Sequence, residues 1–425
     1  MTSDQTTELP SQPGSTESSS QHWRFIGPGL VAAATGVGAG DLVATLVAGS
    51  LYGYQLIWAA VLGCLLKIIL VEGVGRWTLA SGQTIFHGWR SLGRWATVYF
   101  GIYIVLWGFV YGATAMSSTA LPLAALFPQI DLKVFAIVSG LLGLTLVWLG
   151  SYAFFERIIA VLVGIMFVAV VGSAVMTLPN ISGIASGLIP RLPEGSVFYV
   201  LGLAGGVGGS ITLAAYGYWI REKGWRQPGW MRVMRLDNTF AYLMTGIFVI
   251  SMLIVGAELL HSANIALSSG SRGLLDLSTV LEERYGYWWS VIFLVGFWAS
   301  SFSSLLGVWH GVSLMFADFV AHLLASDNDS GELVSDHVHA RWYMLWLTFP
   351  SMALLFIDRP FMLIVGYGVL GALFMPFLAM TLLLLLNSRQ MPADWRNGWI
   401  SNGLLAITCL IFAALGTQQL FKVLW

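Results

Sequence analysis

The sequence predicts an all-α polytopic membrane protein with about eleven transmembrane helices, two of them broken near their centres. Three observations carry that prediction. The 425-residue chain is 57% hydrophobic and only 10% charged, with a mean hydropathy of +0.78. Its apolar residues gather into many runs of about 18 or more, the length a helix needs to cross the hydrocarbon. Two of those runs, the first and the sixth, are interrupted by glycine clusters that a continuous helix would avoid. The net charge of −1 offers no argument for nucleic-acid binding.

In chain order, residues 1–22 are rich in Ser, Thr, Gln and Pro. They lack the basic start and short apolar core of a signal peptide and read as a disordered cytoplasmic tail. Apolar spans follow at 25–51, 55–78, 95–127, 134–151, 156–178, 197–220, 238–260, 287–318, 340–357, 360–387 and 398–421. The runs at 95–127 and 287–318 exceed one crossing, so they tilt or extend into water. With the N-terminus cytoplasmic, about thirteen Lys and Arg fall inside against about six outside, which favours that orientation and leaves the C-terminus outside. Between spans 7 and 8, residues 261–286 place Leu274, Leu275, Leu277, Val280 and Leu281 at the spacing of a short amphipathic helix. Residues 325–339 are acidic and read as a solvated loop. Many of the nineteen Trp lie near run ends, as interfacial belts do. Cys64 and Cys409 sit inside apolar runs with no metal or redox spacing and read as small core residues.

The first span contains Thr35-Gly36-Val37-Gly38-Ala39-Gly40-Asp41. Each Gly costs a helix about 1 kcal/mol against Ala, and a mid-membrane Asp costs at least ~2.5–3.5 kcal/mol unless it faces protein or water. Unwound backbone at that depth persists only where it lines a cavity. The sixth span repeats the pattern in Leu201-Gly202-Leu203-Ala204-Gly205-Gly206-Val207-Gly208-Gly209-Ser210-Ile211-Thr212. Spans 1 and 6 each open a block of five, and interrupted segments at matching positions of two halves mark a transporter site at the repeat interface. Close packing through small residues, as at Gly202 and Gly206, is the competing explanation. Broken helices present carbonyls at one half-helix end and amides at the other. Carbonyls with Asp41 suit a cation, amides suit a carboxylate, so the backbone alone leaves a metal ion and an amino-acid-like solute both open.

The run Gly27-Pro28-Gly29-Leu30, a broken centre, then Ala48-Gly49 and Gly53-Tyr54, resembles the first helix of NRAMP-type divalent metal transporters. Arg76 through Ser81-Gly82 resembles the end of that family's second helix, and Ala299-Ser300-Ser301 through Gly307 and Gly311 its eighth. The resemblance covers about residues 25–390. It implies the LeuT-type fold, with inverted five-helix repeats at about 25–178 and 197–387, a core over 23–390, and an extra C-terminal helix at 398–421. It also implies a secondary transporter moving a divalent cation by alternating access. The chain departs from the family at telling places. Where the family has Asp-Pro-Gly-Asn, this chain has Gly38-Ala39-Gly40-Asp41. Where the family has Met-Pro-His, Thr212-Leu213-Ala214 leaves no sulfur. The acids of the family's third helix are missing around Gly112 to Ala115. Oxygen ligands without a thioether suit a harder, partly hydrated ion such as Mg²⁺.

The expected ligand set is therefore Asp41 as the main charge, carbonyls near Gly38 and Gly208, the Ser210 and Thr212 hydroxyls, and retained water. A small organic solute such as an amino acid is the alternative cargo. Glu72 and Arg76, four apart on one helix face, are expected to form an internal ion pair or a gating charge. His310 is a candidate proton relay. Ser300, Ser301, Ser303 and Ser304 suit a water path or helix-to-helix hydrogen bonds. Asp318 is expected at a solvated helix end, and His87 in a loop without a role. No catalytic motif is visible, so neither an enzyme nor a bound cofactor is expected; the cation is cargo. The expected partners are that cargo and the lipid bilayer, and the expected state is a monomer.

Overall fold

The computed structural model describes residues 27–206, 209–261, 271–324, 337–357 and 360–424. The tail at 1–22 therefore lies outside the described residues. The first span is broken as expected: α1 (Pro28–Gly36) stops at Val37 and α2 (Ala39–Tyr52) starts anew. Pro28 sits at the first helical position, where its missing N–H costs nothing. A short 3₁₀ turn leads into α3 (Ile57–Ser81), which ends on Gly82 in the left-handed conformation, φ +70°, the usual glycine stop.

Next come α4 (Ile85–Ser91), α5 (Arg94–Leu126), α6 (Leu132–Leu149) and α7 (Tyr152–Met176). Side chains just before three of these helices cap them. Thr84 accepts from the His87 N–H, Asp131 from Lys133 and Ser151 from Phe154, satisfying amides the helices cannot. The short α8 (Ile181–Gly187) precedes the second broken span. There α9 (Val197–Leu201) passes into a π turn at Gly202–Gly206, and α10 (Ile211–Glu222) resumes beyond Ser210.

The remaining helices are α11 (Met231–Gly256), α12 (Ser271–Tyr285), α13 (Tyr287–Gly307), α14 (Ser313–Leu324), α15 (His337–Met352), α16 (Pro360–Leu386) and α17 (Trp399–Leu424). A π turn at Val308–Val312 joins α13 to α14. Among the described residues, eight helical stretches are long and apolar enough to cross a membrane. The two broken spans and α16 occupy the remaining predicted positions. The amphipathic segment after span 7 is α12; its Leu277 and Leu281 are fully buried and it packs on α13 and α5.

Two expectations change. The helix containing span 8 does not stop at 318 but runs on to Leu324, so Asp318 is buried at 6% exposure and not solvated. His87 is likewise part of α4. The tryptophans divide into two groups. Trp288 and Trp399 are exposed as a belt requires, whereas Trp77, Trp89, Trp107, Trp219 and Trp309 are fully buried. Four of these indole N–H groups find an acceptor, namely the Thr84 carbonyl, the Thr381 hydroxyl, His310 Nδ1 and the Thr348 hydroxyl, whereas Trp107 Nε1 has none among the described residues and its ring stacks on Tyr111. A satisfied N–H lowers the cost of burying an indole.

Helices without a solvent-driven attraction approach through small residues. The α2–α11 crossing shows this: a Cβ on Gly256 would lie 3.1 Å from Ser50 N and 3.2 Å from Gly49 Cα. Gly256→Leu should therefore force the helices apart and cost about 1–3 kcal/mol of stability, read as a lower unfolding midpoint in detergent. Gly164→Leu, at a position where a Cβ meets nothing within 4 Å, should leave the midpoint unchanged.

Candidate functional site at the two helix breaks

The two interruptions touch. Gly209 has φ +91°, a conformation that side chains resist. A Cβ there would sit 3.1 Å from Gly36 Cα and against the Thr212 hydroxyl. The end of α1 and the start of α10 thus meet inside the bundle.

The α1 side of the break is held by α13. Ser304 Oγ donates to the Thr35 carbonyl at 2.6 Å, and Ser300 Oγ donates to the Val37 carbonyl at 2.8 Å. With the Ser304 proton so used, the Tyr111 hydroxyl of α5 donates to Ser304 Oγ at 2.8 Å. Thr35 Oγ1 turns back to the Val31 carbonyl at 2.6 Å, and Gly307 packs directly against Thr35. Of the four serines, Ser301 and Ser303 bond carbonyls of their own helix. Ser300 and Ser304 therefore serve as helix-to-helix bonds across the first break.

The α10 side is different. Ser210 Oγ and Thr212 Oγ1 are buried without a hydrogen bond of normal geometry. Ser210 lies beside Gly371 of α16, where a Cβ would be 3.5 Å from its oxygen, and the Tyr103 hydroxyl of α5 faces it. Leaving a buried hydroxyl unpaired costs about 1–3 kcal/mol, and such groups in native structures call for an explanation. Ser210 has Tyr103 as a side-chain partner, so Thr212 Oγ1 is the hydroxyl left to be satisfied.

The predicted ligands are distributed as follows. Ser210 and Thr212 line the contact between the breaks. The Gly38 carbonyl accepts the Leu42 N–H at 3.1 Å, so it is committed to starting α2. Asp41 occupies the first turn of α2, where the helix dipole favours a carboxylate; its side chain lies outside the described residues, as does Gly208. Glu72 and Arg76 pair at 3.2 Å, but away from the breaks. Arg235 of α11 joins the same carboxylate at 3.0 Å, and Arg76 reaches Asn397 Oδ1 at 2.7 Å and the Trp395 carbonyl at 3.2 Å. The cluster ties α3 to α11 and to the connection before α17. His310 also stands apart. Its Nδ1 accepts from Trp219 at 3.2 Å, and its ring stacks on Phe155 of α7 at 4.4 Å between centroids.

One residue escaped the sequence reading. Asp237, 1% exposed in α11, accepts from the Gly27 N–H at 3.1 Å, the Gly29 N–H at 2.6 Å and the Tyr216 hydroxyl at 3.1 Å. It caps α1, whose own N-cap glycine has no side chain. The Lys223–Glu156 ion pair, at 2.7 Å, packs against Gly27. The available signal was a helix start with nothing nearby to cap it, and an Asp at the edge of span 7.

Residues 29–422 match the family model described as natural resistance-associated macrophage protein-like, Nramp. The "Divalent metal cation transporter MntH" of Chromohalobacter salexigens is 25% identical, over 94% of this chain and 91% of that protein. The protein of the same name from Mycobacterium leprae is 25% identical over 69% of this chain and 70% of its own. Among solved structures, the Eremococcus coleocola manganese transporter, in complex with an aromatic bis-isothiourea substituted compound, superposes with a TM-score of 0.78. That match is 17% identical and covers 94% of this chain and 87% of the other. The fold is of the LeuT type.

Because charged hydrogen bonds of this kind contribute about 1.5–3 kcal/mol each, Asp237→Ala should lower the unfolding midpoint in detergent by several degrees. Asp237→Asn, which keeps one acceptor oxygen, should lower it less.

Proposed function

The chain belongs to the natural resistance-associated macrophage protein-like (Nramp) family, and from that membership we propose that it carries a divalent metal cation across the membrane as a secondary transporter. The carrying observation is the contact between the two breaks, where the Thr212 hydroxyl of α10 is buried without a hydrogen bond among the described residues beside Gly209. In alternating access, the halves of the bundle rock around such a site and open it to one side at a time. Close glycine packing at Gly209 and Gly307 and the serine bonds from α13 keep the site's walls in register while they move.

The side chains offered by α10 are oxygen donors, and Asp41 supplies the charge from the head of α2. Such a set favours a hard ion, Mg²⁺ or Mn²⁺, which keeps part of its water, over soft thiophilic ions. The Lys and Arg bias supports a cytoplasmic N-terminus. The chain then spans the membrane as a monomer with its C-terminus outside.

In proteoliposomes the wild type should take up Mn²⁺ or Mg²⁺, and Asp41→Ala should reduce that uptake by at least about tenfold, equivalent to about 1.4 kcal/mol. Uptake of an amino acid with no divalent flux would overturn the reading. Thr212→Met, which adds a soft thioether at the same contact, should raise Cd²⁺ uptake relative to Mg²⁺ by about tenfold, as ligand softness dictates.

A further inference from the structure

A second polar cluster lies beyond the cargo site, where α4, α10 and α14 meet. His87 Nδ1 and His322 Nε2 stand 3.4 Å apart, with ring centroids 5.6 Å apart. The centroid separation nearly equals that distance extended by the two ring radii, so the nitrogens point at one another. A metal ion held between them would be too close to both, and among the described residues no group of three or more His, Cys, Asp or Glu is placed to hold one. The contact fits a shared proton.

The other nitrogen of His322, Nδ1, lies 2.8 Å from the Asp318 carbonyl and 3.0 Å from Asp318 Oδ1. It is therefore the N–H side of the ring. Asp318 Oδ2 accepts from the Tyr218 hydroxyl of α10 at 2.6 Å, and the Thr84 hydroxyl faces the same carboxylate. Arg90 of α4 and Arg221 of α10 are the nearby fixed cations. The other helices packed on α14 present aromatic rings: Phe100 of α5 against Phe319, and Tyr343 of α15 against Phe316.

We propose that His87 and His322 form a proton-binding pair that reads the pH on the side bathing α4 and transmits it through Asp318 and Tyr218 to α10. With no added proton, His87 Nδ1–H donates to His322 Nε2. With one, His322 is the imidazolium beside its carboxylate and donates back to His87. A second proton puts two N–H groups and two positive charges face to face, and the contact must open. His87 resists that proton: burial first, then His322, hold its pKa below the ordinary histidine value. The sign follows. The contact is intact above about pH 6.5, the ordinary histidine value, and is lost as pH falls through the depressed value of His87.

Opening frees α4 from α14 and loosens the Asp318–Tyr218 bond. Tyr218 lies on the helix whose first turns carry Ser210 and Thr212, so the cargo site feels the change through one rigid element. This last link rests on the transport reading; the proton pair does not.

The test has two arms. Histidine ¹⁵N NMR of the full chain in detergent should show His87 titrating below the ordinary range in the wild type and moving back up by a readable shift in His322→Gln. Identical titration of His87 in both would overturn the pair. In proteoliposomes, cation uptake by the wild type should fall several-fold as the side bathing α4 is taken from about pH 7 to about pH 5. His87→Gln, which keeps a hydrogen-bonding amide but does not titrate, should hold its uptake level across that range. An equal fall in the variant would overturn transmission to the site. Absence of uptake at any pH would sink the transport reading alone, because the NMR arm needs no flux.

Discussion

A helix that stops in the middle of a bilayer leaves carbonyls and amides that lipid cannot satisfy. The structure is organised around meeting that demand. Ser300 and Ser304 of α13 donate to the Val37 and Thr35 carbonyls, and Tyr111 secures Ser304 from behind. At the other end of α1, Asp237 accepts the Gly27 and Gly29 amides from across the bundle. The short first half-helix is thus fixed at both ends by side chains of other helices. At the second break Ser210 meets the Tyr103 hydroxyl, whereas the buried Thr212 hydroxyl is left without such a partner among the described residues.

The arrangement divides labour between glycine and hydroxyl. Glycines at 209 and 307 leave out the Cβ atoms that would collide with Gly36 and with the Thr35 side chain. Hydroxyls then work at the short range this opens. An acid or amide in their place would bring more charge and bulk than the gap admits. Charge is concentrated elsewhere: Glu72 with Arg76 and Arg235, and Glu156 with Lys223 beside the start of α1. The ion pairs join helices near their ends, where paired charges cost least desolvation.

Much of this was legible in the sequence. Hydropathy alone located the spans, because a bilayer demands long apolar runs. The glycine clusters located both breaks, because several closely spaced glycines each weaken a continuous helix and their costs add. What could not be read were partnerships between distant residues. Asp237 and Gly27 are capping partners across 210 positions, and nothing local to either announces the other. Asp318 ended an apolar run and so read as solvated; Tyr218 and His322 compensate its charge, and the helix continues past it. Gly38 was read as a free carbonyl, but a new helix begins there and takes it.

The π turn at Val308–Val312 carries a consequence of its own. Such a bulge adds one residue to a helix without lengthening it, so every side chain after it is rotated by about 100° relative to an unbroken α-helix. Asp318 and His322 lie beyond it. Excising one residue from the turn would swing that whole face around the helix axis, carrying the carboxylate away from Tyr218. The orientation of the α14 face is thus held by a single inserted residue, and a gap of one position at this point in an alignment would separate relatives that share the geometry around Asp318 from those that cannot build it.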